Sequence, residues 1–311
     1  MDTQEKTRRT IEFFIGQEYD LNIAIEAFLF DKRSQNISPA TIRFYHEKLL
    51  RFSAYCQTRA ISKVTDISPA DIRQYIFVME ESGHNPGGQH AAYRTIRAFL
   101  NWWEFEVEPE GWKNPIKKTK PPKVDIEPLE PVRFEVAEAM LDTCEKGTFY
   151  GDRDYAIIMV LMDTGLRAGE FLSINLDNIN IMNGQITVTK TKSRKFRSVF
   201  LGKKSRRALR NYLKHGRTVD PLWTLKNGQR LTYNGLRAIM VKRAKLARVE
   251  TPSLHSFRRF FALQSLRNGM DIFSLQLLLG HADLQILRKY LKQTDEDIKL
   301  AHDKSGPVDN L

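Results

Sequence analysis

Between Leu277 and Lys292 the chain reads LLLGHADLQILRKYLK. A leucine run ends in a glycine, His281 stands in the break, and Tyr290 follows nine residues later on a basic amphipathic segment. Two accounts fit these residues. One is packing: a capped turn followed by a half-buried tyrosine. The other is a phosphate-handling site in which the tyrosine is the nucleophile.

Other stretches hold groups suited to the same chemistry. In DTGLRAGEFLSI, Gly165 can end an apolar helix and leave Arg167 at the start of the next one. There its planar fork and the free amides of a helix start can meet an anion. Glu170, three residues on, can hold that arginine by a local pair; a surface arginine that caps nothing is the alternative. In PSLHSFRRFFALQSLRNG, Ser253 suits a helix cap and Gly269 a stop, which predicts a helix over 255–268. His255 and Arg258 then share one face, and Phe257, Phe260 and Phe261 another that anchors the helix in the core. A proton carrier beside a fixed charge suits an anionic centre, and an ordinary polar helix face is the plainer account. Lys192 lies on the charged tip between two β-rich runs, where a tight turn can carry an ammonium to a site or simply leave it solvated.

The elements that must position these groups can be read from the same sequence. LNIAIEAFLFDKRS, the two Ser-Pro starts at Ser38-Pro39 and Ser68-Pro69, and a segment after Gly87-Gly88 predict about four helices in the first third. Residues 1–112 are thus expected to form a helical clamp or bundle domain, with 1–19 as a tail. Residues 113–131 hold five of the twelve prolines and are expected to be a linker. Residues 132–311 would form the second domain. In it, helices flank a small antiparallel sheet of about three strands, with Asn183-Gly184 as a two-residue hairpin turn. The expected fold class is therefore mainly α with a small antiparallel β-sheet, an α+β architecture.

Composition narrows the function. The chain has 311 residues, of which 41% are hydrophobic, and a formal net charge of +12. The charge is uneven: 19 Lys and Arg face one acid, Asp220, over 186–248, whereas 250–311 holds eight of each sign. A local excess of this size points to a polyanionic partner, nucleic acid before an acidic membrane surface. The two cysteines, Cys56 and Cys144, are far apart, which argues against a disulfide framework or a cysteine-based zinc site. The N-terminus has no apolar stretch of signal-peptide length, and the longest apolar run, Ala156–Met162, is too short for a membrane span. The expected location is the cytoplasm.

In order and spacing, TGLRAGE, the lysine in KTKSRKFRSVFL, LHSFRR, LGH and the tyrosine nine residues after that histidine resemble the tyrosine recombinase family, which includes phage-type integrases and Xer-type resolvases. The resemblance covers the whole second domain, and more loosely the first, which looks like the family's core-binding domain. It implies that Arg167 and Arg258 clamp a phosphate, that His255 carries a proton near the attacking group, that His281 donates a hydrogen bond to the phosphate, and that Tyr290 is the nucleophile. Lys192 matches the general acid, with Lys190 and Lys195 as alternatives. It further implies a metal-free, cofactor-free and ATP-independent strand exchange on double-stranded DNA with paired half-sites, by a homotetramer or with a related recombinase. Type IB topoisomerase-like nicking and closing, or DNA binding without catalysis, are the other readings. The chemistry suits the groups: cations can hold the charge that builds on the non-bridging oxygens, and a phenol with a pKa of about 10 is both a workable nucleophile and a good leaving group.

Overall fold

The computed structural model describes residues 20–124, 130–189, 196–216 and 220–280, with isolated positions 299, 302, 303 and 308 beyond them. The chain divides into two compact units, Met1–Ile126 and Glu127–Leu311.

The described part of the first unit is four helices, α1 (Leu21–Ser34), α2 (Pro39–Thr58), α3 (Pro69–Glu81) and α4 (Pro86–Val107). Their starts follow from their caps. Asp20 accepts the amides of Asn22 and Ile23, and Ser38 accepts that of Thr41. Ser68 and Asp71 close a reciprocal capping box. Asn85 caps α4 with Pro86 at its first position, so this helix begins ahead of the Gly87-Gly88 pair. The core gathers around Phe28, whose ring lies 5.4 Å from Tyr45, 5.8 Å from Phe99 and 5.5 Å from Trp102. The proline-rich segment after α4 is not wholly extended chain. It forms a short 3₁₀ turn, Pro115–Lys118, that buries Ile116, and Tyr93 donates from its hydroxyl to the Thr119 carbonyl at 2.6 Å.

The second unit contains α5 (Phe134–Asp142), α6 (Phe149–Thr164), α7 (Ala168–Leu172), a three-stranded antiparallel sheet, α8 (Lys203–Leu213), α9 (Tyr233–Ala247), α10 (Leu254–Arg267) and α11 (Ile272–Leu279). The strands are β1 (Ile179–Asn180), β2 (Gln185–Val188) and β3 (Arg197–Phe200), in that order across the sheet. Ile179 faces Ile186, and Ile186 faces Val199. The first hairpin loop holds four residues, 181–184, rather than two. The Asn180 side chain accepts the amides of Met182 and Asn183 and starts the turn early. Gly184 then closes the loop at φ 82°.

The apolar helix α6 is buried nearly all round, with Ala156, Ile157, Ile158, Val160 and Leu161 at 1% exposure or less. Around it, Trp223 stacks on Phe171 of α7 at 4.6 Å and on Tyr212 of α8 at 5.8 Å. This stack seats the short helix α7, whose first turn carries the candidate site. Among the described residues no helix is long and apolar enough to cross a membrane.

Candidate active site

Helix α6 ends at Gly165, whose φ of 57° lies in the left-handed region. A Cβ at this position would stand 2.5 Å from Cδ1 of Phe261, so glycine is needed for space as well as for conformation. The chain then turns into α7 with Arg167 at its N-cap.

Glu170 is the hub of this turn. It is 4% exposed, and its carboxylate accepts the Arg167 amide at 2.9 Å and the Arg167 guanidinium at 3.0 Å. It also receives both Nη atoms of Arg197, at 2.9 and 2.8 Å. Burial pushes the Glu170 carboxyl up, but the bonds and charge of Arg197 and Arg167 outweigh that and hold it below its ordinary value. Arg197 also donates from Nε to the Leu278 carbonyl at the end of α11, at 2.8 Å. The sequence alone did not single out Arg197, which opens β3 and meets a carboxylate 27 residues earlier in the chain.

Arg258 lies on α10, held by the Ser253 cap and by the fully buried Phe257. It is 1% exposed and so is not displayed on a polar surface. It donates to the Gly165 carbonyl and to the Leu279 carbonyl, both at 2.7 Å. The oxygens that end α6 and α11 thus supply the acceptors a buried guanidinium requires. His255, one turn earlier on the same helix, remains exposed. Partial burial of its ring, followed by the positive charges of Arg259, Arg258 and Arg167, lowers its pKa from 6.5 to about 4. The imidazole is therefore neutral at pH 7 and able to accept a proton.

Three of the expected residues, Arg167, His255 and Arg258, are brought together from the α6–α7 turn and α10. His281 and Tyr290, and the lysine candidates Lys190, Lys192 and Lys195, lie outside the described residues. The chain is described up to Gly280, whose added Cβ would stand 3.0 Å from an Nη of Arg197, so the backbone entering the His281 segment passes directly against the Glu170–Arg197 pair.

A helical unit followed by a helical unit with a three-stranded antiparallel sheet is a tyrosine recombinase architecture. Residues 131–297 match the phage integrase family, and residues 25–103 match its N-terminal SAM-like domain. The chain belongs to the phage integrase family. It is 29% identical over 304 residues to the tyrosine recombinase XerC of Oceanobacillus iheyensis, covering 93% of this chain and 98% of that one. To the tyrosine recombinase XerD of Listeria monocytogenes it is 28% identical over 298 residues, covering 92% and 99%. Among solved structures, a lambda integrase dimer bound to a COC′ core site matches with a TM-score of 0.72 at 15% identity, over 86% of this chain and 97% of that one. The XerH site-specific recombinase bound to a palindromic difH substrate matches with 0.69 at 19% identity, over 99% and 90%. These likenesses show the fold. The activity is that of a tyrosine-type site-specific recombinase.

Proposed function

We propose that this recombinase cuts and rejoins double-stranded DNA through a 3′-phosphotyrosine at Tyr290. The phenol oxygen attacks the phosphorus, a P–O(tyrosine) bond forms, and the bond to the 5′-oxygen breaks. The leaving 5′-hydroxyl takes its proton from Lys192, and the tyrosine gives its own to His255. Arg167, Arg258 and His281 hold the non-bridging oxygens, where preorganised donors are typically worth on the order of 10²–10³ in rate each. Rejoining reverses these steps with a second 5′-hydroxyl, so the bond energy is conserved and no ATP is consumed. The reaction proceeds without a metal ion, on two sites of paired half-sites held by a tetramer, in the cytoplasm.

The observation that carries this reading is the meeting of Arg167, His255 and Arg258 around the α6–α7 turn, with His255 neutral among the arginines. The test is a suicide substrate nicked next to the cleavage point. Wild-type protein should accumulate a covalent adduct, with or without EDTA. Tyr290→Phe should bind the same DNA and form none. An adduct in Tyr290→Phe would move the nucleophile elsewhere.

A further inference from the structure

Helix α8 and its C-cap residue Lys214 carry a row of positive charge that the proposed chemistry does not use. Lys203, Arg207, Arg210 and Lys214 follow one another at steps of four, three and four residues, and all four are exposed. At 3.6 residues per turn these steps place them within a wedge of about 60°, in a line roughly 16 Å long. The buried residues Ser205, Ala208, Leu209 and Tyr212 occupy the opposite side, so packing fixes which way the row faces. The helix contains no acidic residue. Among the described residues, no carboxylate pairs with any of the four. The carboxylate at this end, Asp163, accepts the Gly202 amide at 2.7 Å.

This arrangement works against the helix itself. Each neighbouring pair in the row is a like-charge pair at i,i+3 or i,i+4 spacing, which destabilises a helix. Lys203 and Lys204 stand in the first turn, where the helix dipole disfavours cations. A solvated surface gains nothing from such alignment, whereas a regularly charged polyanion would neutralise the whole line at once. We propose that the α8 row is a phosphate-binding surface for duplex DNA, separate from the arginine-lined site and indifferent to sequence. Charge complementarity selects this occupant: a duplex carries phosphates at intervals that a line of this length meets several times. The inference rests on the reading that the enzyme acts on duplex DNA, but not on which tyrosine attacks.

The test is the salt dependence of binding to a random-sequence duplex, using the full chain, between roughly 50 and 200 mM salt. Each phosphate contact contributes about 0.9 to the slope of log K against log salt. The variant K203Q/R207Q/R210Q/K214Q should therefore show a slope shallower by about 3.6, and K203Q/K214Q one shallower by about 1.8. K203R/K214R, which keeps the charge, should retain the wild-type slope. Without DNA, the glutamine variants should melt no lower than wild type, because they relieve repulsion on an exposed face. Unchanged slopes in the glutamine variants would overturn the proposal. Loss of retention on immobilised polyglutamate with an unchanged DNA slope would overturn it too, and would assign the row to an acidic polypeptide. Covalent-adduct formation reads the chemistry and the salt slope reads the contacts, so the two can fail separately.

Discussion

His255 is the titratable side chain around the α6–α7 turn whose protonation its surroundings set most strongly. Its pKa, lowered to about 4, lies below the unfolded value of 6.5, so between these values the unfolded chain binds the extra proton. Its contribution to stability is therefore present above pH 6.5 and is lost as the pH falls toward 4. A phosphodiester brought beside it would offset the flanking arginines. NMR titration of the imidazole should show a pKa near 4 in the free protein and a higher one with uncleaved DNA bound to Tyr290→Phe. A value near 6.5 in the free protein would remove the arginine cluster as its cause. The residue types were legible in the sequence: Arg167, Glu170, His255 and Arg258 each occur in a short stretch whose caps and glycines mark where an element begins. Arg197 as a partner of Glu170 was not legible, because that contact joins residues 27 apart, with β1 and β2 between them. The burial of Arg258 was hidden for the same reason, since its acceptors lie 93 and 21 residues away.

Elements were legible where a local cap decides them. Both Ser-Pro starts, the Ser253 cap and the glycine after α6 need only neighbouring residues to act. The first hairpin loop was read two residues short, because an Asn-Gly pair is a strong local signal but Asn180, three residues earlier, had already captured two amides. The α6–α7 turn gives the sharpest test at this scale. Gly165→Ala changes no group with chemistry to perform, yet it places a methyl in left-handed backbone at a cost of about 1–2 kcal/mol and drives it into Phe261. The melting temperature should fall, and adduct formation should drop more than DNA binding does, because Arg167 begins two residues later. Equal losses in binding and adduct formation would mean that the turn supports the fold alone.

At the scale of the molecule, each unit has a core of its own, one around Phe28 and the other around α6. The second core is also tied by charge. Asp154 of α6 lies between Arg153 and Arg243 of α9, with contacts of 2.7 Å to each, and is 1% exposed. Asp154→Ala leaves two buried guanidiniums without their carboxylate and should cost about 3–5 kcal/mol. Calorimetry should show the loss in the transition of the second unit, with that of the first unchanged; a shift in both would mean that they unfold as one. The bonds of Arg258 to Gly165 and Leu279 carry a consequence for genetics. That guanidinium rivets three helices before any DNA arrives, so an inactive Arg258 variant would report on folding together with the proposed chemistry. Arg167, whose side chain keeps 32% of its surface open, is the cleaner position from which to test the proposed phosphate contact.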